Sequence, residues 1–265
     1  MRILIALLVL GSCSSLRAQE TNAVRMFLDQ FDGGAHILAT NTLPVVVSLR
    51  VSAELENSGS DYPLPGVFTV PAHSAVHIVT VEQKEAFKKW GLKWDYSFNL
   101  GDHRVKPDTN HVYQVPFKGR FRLTQGWFGK FSHHGWQRFA VDFTMPEGTD
   151  VCAARDGVVA RTVDHHTEGG NDPRLRMSAN EIMIVHADGM ITQYAHLRHQ
   201  GVKVKVGDRV KAGQVIGLSG NTGYSTYAHL HFAVLKSDNG TNYMSVPFQL
   251  PAGVPRERIS YFGRR

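Results

Sequence analysis

Cysteine is almost absent from this chain. Two occur in 265 residues, Cys13 and Cys152, and the first lies in an N-terminal segment expected to be removed. The mature chain would then keep Cys152 alone, which excludes an intramolecular disulfide and leaves cohesion to buried cores. Cys152 sits in the apolar run Thr149-Asp150-Val151-Cys152-Ala153-Ala154 and reads as a small buried hydrophobe, not a nucleophile. Long hydrophobic runs are as scarce. Residues 3–10 are apolar without a break, but that is too short to cross a bilayer. Dense Lys/Arg stripes are missing as well. The formal charge of +6 is spread along the sequence, which argues against nucleic acid as a partner and fits attraction to an anionic envelope polymer.

The apolar run at the start follows Met1-Arg2, a short basic lead, and has the form of a secretory signal. Cleavage after Leu16-Arg17-Ala18 assigns residues 1–18 to the leader. Leu10-Gly11-Ser12-Cys13 resembles a lipoprotein box and is the alternative. A soluble, exported, envelope-associated protein with no integral membrane segment after processing is the expectation.

Residues 19–115 carry short apolar or alternating runs such as Leu43–Val51 and Ser74–Val81, separated by turn-rich pieces such as Asn57-Ser58-Gly59-Ser60-Asp61. Short strands with frequent turns predict a small β-sandwich. His36, His73, His77, His103 and His111 are scattered and read as structural or surface residues. Arg104–Pro116 reads as a linker. Residues 116–265 differ in texture. Glycine is frequent, no helix-length amphipathic segment stands out, and nine of the 14 histidines lie between His133 and His231. Val202–Val210 and Gln214–Ser219 alternate as strands around a glycine-bearing turn. Residues 164–180 read as a long polar loop, expected on the rim of a site. The whole is expected to be all-β, in two domains.

The densest chemistry lies in Ala228-His229-Leu230-His231-Phe232. Residues two apart on a strand share a face, so both imidazoles project one way while Leu230 and Phe232 project the other. An isolated pair of this kind is more often a surface accident. This pair has company upstream. Asp142 lies between Val141 and Phe143, and a carboxylate inside an apolar strand needs a cationic partner. His133 and His134 are adjacent candidates for a further ligand, and spacing alone does not choose between them. Two imidazoles and a carboxylate form the ligand set of a catalytic zinc with one open position. His196, in Gln193-Tyr194-Ala195-His196-Leu197, reads as strand-borne. It and His229 are candidates for proton transfer or oxyanion stabilisation.

With Ala140-Val141-Asp142-Phe143, Pro146-Glu147-Gly148-Thr149, Tyr194-Ala195-His196-Leu197, Val206-Gly207-Asp208-Arg209-Val210 and Gly220-Asn221-Thr222-Gly223 leading to His229-Leu230-His231-Phe232, the chain resembles the lysostaphin-type zinc metallopeptidases. The resemblance covers roughly residues 120–240. It implies a two-sheet β domain with a groove and Zn2+ held by His133, Asp142 and His231; the Ser132-His133 pair favours His133 over His134. It also implies catalytic roles for His196 and His229, and peptidoglycan stem or cross-link peptides as substrate. Eight residues separate His133 from Asp142, wider than the commonest family spacing, and Tyr227-Ala228 stands where Gly-Pro is frequent. The glycine-punctuated strands also resemble biotinyl or lipoyl carrier domains, which lack such ligands. A non-catalytic wall-binding or hydrolase-regulating module using the same groove is the alternative function. A regulatory protein partner is left unspecified.

Overall fold

The computed structural model describes residues 23–252. The expected leader and Cys13 lie outside these residues. The described chain is nearly all β, as its short, turn-punctuated runs predict. It divides into two compact units. One runs to His103 and takes in Ser237–Asn242; the other comprises Arg104–Lys236 and continues from Tyr243.

The first unit contains strands β1 (Val24–Phe31), β2 (Gly34–Asn41), β3 (Val47–Glu56), β4 (Ser58–Ser60), β5 (Gly66–Val70), β6 (Ser74–Gln83) and β7 (Gly91–Leu100). They form two antiparallel sheets in the orders β1-β2-β6-β4 and β5-β3-β7. Alternation explains the interior. Ala35, Ile37 and Ala39 on β2, Val79 and Val81 on β6, and Val47, Leu49 and Val51 on β3 are fully buried, while their neighbours carry the polar faces. Residues 84–90 are a connection without helix.

The second unit contains β8 (Arg122–Gln125), β9 (Val141–Thr144), β10 (Asp150–Cys152), β11 (Gly157–Val163), β12 (Gly169–Gly170), β13 (Glu181–Val185), β14 (Ile191–Ala195), β15 (Leu197–Val202), β16 (Arg209–Val210), β17 (Val215–Ser219), β18 (Gly223–Tyr224), β19 (His229–Ser237) and β20 (Tyr243–Ser245). The main sheet runs β16-β11-β13-β14-β19-β9-β8, with β20 also on β19. A second sheet runs β10-β17-β15. Phe143, Val151, Ile182, Tyr194, Ile216, Leu230 and Phe232 fill the core. A large apolar side chain buried to this extent contributes roughly 1.5–3 kcal/mol.

Three sequence readings change here. Tyr113, inside the stretch read as a linker, is 3% exposed and belongs to this core. Its amide bonds Gln249 O, so an apolar contact outweighs the prolines and charges around it. Val202–Val210 is not one strand. β15 ends at Val202, and Lys203–Asp208 turns, closed by Lys205 N to Asp208 Oδ2 at 2.9 Å, before the short β16. Residues 164–180 are not structureless. β12 pairs in parallel with β18, and Pro173–Met177 forms a 3-10 turn capped by the Asp172 carboxylate.

Candidate metal centre

The site grows out of strand register. His231 on β19 lies directly opposite Asp142 on β9, and on its other side opposite Ala195 at the end of β14. Asp142 in turn lies opposite Gln125 on β8. Cross-strand partners share a face, so one row of the sheet carries Gln125, Asp142 and His231. Leu230, Phe232, Val141 and Phe143 point away into the core, which is the alternation the sequence suggests. His229, two residues before His231, stands on the same face opposite Thr144.

His133 reaches the row from the loop between β8 and β9. Its Nδ1–H donates to Gly126 O at 2.9 Å, which fixes the tautomer and leaves Nε2 as a bare lone pair. That lone pair faces Asp142 Oδ1 at 3.2 Å. His231 Nδ1 approaches the same oxygen at 2.9 Å, while His231 Nε2 is buried with no partner among the described residues. His133 is fully buried, and Asp142 and His231 are each 4% exposed. Burial drives the Asp142 carboxyl towards the neutral acid, but hydrogen bonds from His133 and His231, made when a proton sits on the facing ring nitrogens, overturn this and hold it well below the usual carboxylate range. Burial also lowers the His231 pKa, against the pull of Asp142. A buried carboxylate facing a bare imidazole nitrogen demands positive charge between them. The ligand atoms of His133, Asp142 and His231 all lie within 4.8 Å of one another. An N, N, O set at that spacing, with an orphaned ring nitrogen, fits Zn2+. His134 is exposed and outside this cluster.

His196 departs from the strand expected for it. β14 ends at Ala195 in the main sheet, and Leu197 opens β15 in the other, opposite Ser219. His196 is the residue at which the chain changes sheets, with φ +62°, a conformation uncommon for a side chain other than glycine and often found at functional sites. Gly220 permits the crossing: a Cβ there would meet Arg198 N at 2.4 Å. His196 Nδ1–H donates to Thr222 O at 2.7 Å, and His229 Nδ1–H to Tyr227 O at 2.8 Å. Each ring therefore turns Nε2 away from the backbone, and His229 Nε2 lies 3.8 Å from Asp142 Oδ1. The two rings lie 4.6 Å apart between centroids, and His196 lies 5.9 Å from His231. Burial, reinforced by the neighbouring imidazoles of His229 and His231, lowers the His196 pKa to about 3 and keeps the ring neutral.

Supports for these rings escaped the sequence reading. Ser225 is 2% exposed; its hydroxyl sits 3.1 Å from His229 Nδ1 and donates to Asn221 Oδ1 at 2.6 Å. Thr222 receives the Asn180 amide at 3.0 Å and donates to Leu197 O at 2.7 Å. Residues 164–180 are braced on the segment that holds His196 through this Asn180–Thr222 contact and through β12–β18. A ring stack continues outwards: Arg176 lies 5.5 Å over Tyr224, which stacks at 5.7 Å on Phe131. Hydroxyl and amide residues in loops carry no periodic signal, so only the folded contacts reveal them.

A strand-borne imidazole, a loop-borne imidazole and a buried carboxylate on the adjacent strand, flanked by the imidazoles of His196 and His229, have the make-up of a metallohydrolase centre. Residues 137–243 match Peptidase family M23, and the chain carries a domain of that family. It is 31% identical over 181 residues to the peptidoglycan DD-endopeptidase ShyA of Vibrio cholerae, across 68% of this chain and 34% of that protein. It is 43% identical over 123 residues to the glycyl-glycine endopeptidase ALE-1 of Staphylococcus capitis, across 45% of this chain and 31% of that protein. The chain thus spans about a third of the length of these relatives. The solved structure of lysostaphin from Staphylococcus simulans aligns with 50% of this chain and 51% of its own, at 32% identity and a TM-score of 0.36.

Proposed function

We propose that the chain is an exported zinc metallo-endopeptidase that hydrolyses peptide bonds in peptidoglycan stem peptides or cross-links. The observation that carries this reading is the bare Nε2 of His133 facing an ionised, buried Asp142 beside the orphaned nitrogen of His231. The family match and the peptidoglycan activities named for the relatives support it. His133, Asp142 and His231 would hold Zn2+. When bound, zinc supplies Lewis acidity to the scissile carbonyl and a nucleophile at neutral pH. His196 and His229 do the proton work. Each has its Nδ1–H fixed on a backbone carbonyl, so each Nε2 can take a proton from the attacking water and, once protonated, donate that hydrogen to the developing oxyanion. The two share these roles. Action on a wall polymer agrees with a leader over residues 1–18, an envelope location, and a peptidase domain, the unit that begins at Arg104, following a β domain.

The test is metal content together with digestion of purified peptidoglycan, with and without chelator. One zinc per chain and chelator-sensitive release of peptide fragments is the expected result, and the fragments identify the bond cut. Zinc-loaded protein that binds the wall and releases nothing would replace this reading with that of a binding module.

A further inference from the structure

We infer that Gln125 is a positioning residue of the metal centre: its amide decides which oxygen of Asp142 faces the imidazoles and ties that carboxylate to the loop bearing His133. This rests on the reading of His133, Asp142 and His231 as metal ligands.

Every polar atom of the Gln125 amide is used. Nε2 donates to Asp142 Oδ2 at 2.9 Å and to Ser132 Oγ at 2.8 Å, and Oε1 accepts from Phe131 N at 3.1 Å. The orientation of the amide follows from its partners. A backbone N–H can only donate and an ionised carboxylate can only accept, so oxygen must face Phe131 and nitrogen must face Asp142. With Oδ2 held by Gln125, Oδ1 is the oxygen left to His133 Nε2 and His231 Nδ1. Phe131 and Ser132 immediately precede His133. One side chain thus couples the carboxylate ligand on β9 to a ligand 9 residues away in sequence that sits on a loop. Such outer contacts orient ligands and tune affinity.

Gly129 supplies an independent observation. A Cβ at this position would lie 2.3 Å from Gln125 Cγ and 2.7 Å from Cδ. The residue is not among the glycines with positive φ, so its backbone conformation does not call for glycine. Room for the Gln125 side chain does.

Three variants of the full chain separate positioning from packing. Gln125→Glu keeps the size and the acceptor for Phe131 N but sets a carboxylate against Oδ2. Gln125→Met removes every hydrogen bond. Gly129→Ala leaves Gln125 chemically intact and displaces it. Zn2+ affinity is measured by competition with a chromophoric chelator, the Co2+-substituted protein is examined by visible absorption, and melting of the metal-free chain reports folding. Zinc binding weaker by about 10–100-fold in all three is expected, most of all in Gln125→Glu. An altered Co2+ spectrum in Gln125→Glu and Gly129→Ala accompanies it. Folded Gln125→Glu and Gly129→Ala that bind zinc within about twofold of the parent overturn the inference. If the parent binds zinc and the variants match it, only this inference falls; if the parent binds none, the metalloenzyme reading falls with it.

Discussion

Two sets of buried polar side chains, one in each unit, do opposite work. In the first, Asn41 is 1% exposed and every partner it has is backbone: Val45 O, Val70 O and Pro71 O accept from Nδ2, and Oδ1 accepts from Leu43 N. Ser48 likewise donates to Gly101 O and accepts from His103 N. These two side chains close corners of the chain with no polar atom left over, unlike Trp94 Nε1 and Asn99 Nδ2 of the same unit, which are buried without a hydrogen-bond partner among the described residues. In the second unit, His133, Asp142, His229 and His231 are equally buried, yet they face one another, and His231 Nε2 is left without a hydrogen-bond partner among the described residues. Buried groups satisfied by backbone hold a fold together. A buried cluster of metal-ligating groups that satisfies itself incompletely, as His133, Asp142 and His231 do, holds a place for a cation.

The sharpest way to break that contrast is to remove one residue from each set. His231→Ala should abolish tight zinc binding and lower hydrolysis by at least about 10³-fold, with the main sheet still formed. Metal analysis and fragment release from peptidoglycan check this, and full activity would sink the assignment. Asn41→Ala should do the reverse. Losing one side chain from four backbone partners costs about 3 kcal/mol of stability, read as a lower melting temperature, while zinc content and hydrolysis per folded molecule stay unchanged.

The difference between the sets also explains what the sequence makes legible. The alternation around His229, His231 and Asp142 puts the ligands on one face and their apolar neighbours on the other, and the structure shows that arrangement. Strand period is local, so it can be read without a fold. His196 is harder. Its position depends on a change of sheet between β14 and β15, set by the approach of Gly220 to Arg198, a contact between residues far apart in sequence. Tyr113 was hidden for a related reason: the core that receives it is assembled from distant strands. Ser225 and Thr222 lie in loops and belong to no repeating pattern, while Gln125 is strand-borne but meets Asp142 only through the pairing of β8 with β9.

A third prediction concerns a histidine that sits on neither side of the contrast. His186 is 3% exposed and fully satisfied as a neutral ring: Nδ1–H donates to Asp156 O at 2.9 Å, and Nε2 lies 3.1 Å from Thr192 Oγ1. Burial lowers its pKa to about 4, with Arg155 adding to the effect. The unfolded chain takes up a proton near pH 6.5, well before the folded ring does. Stability is therefore undiminished above about 6.5 and is lost as pH falls through about 4, by roughly 3 kcal/mol in total. His186→Asn keeps the donor to Asp156 O, and the dependence of melting on pH over this range should flatten in that variant. An unchanged slope would show that other groups set the acid limit.

The smallest expected effect tests whether burial alone makes a reactive residue type inert. Cys152 is 1% exposed, and burial pushes its thiol pKa up despite nearby Lys118. A thiol attacks as its thiolate, so a raised pKa in a closed core suppresses reaction with disulfide reagents. It lies on β10 and is not one of the five residues of the metal site. Cys152→Ala should cost about 1 kcal/mol, the loss of one small buried group, and leave zinc binding and hydrolysis as they were. Titration with an aromatic disulfide should find no reactive thiol in the folded mature chain and one after denaturation. Rapid labelling of the folded chain would mean that β10 opens locally, and that the second unit's core is less closed than the burial of Phe143, Tyr194 and Phe232 implies.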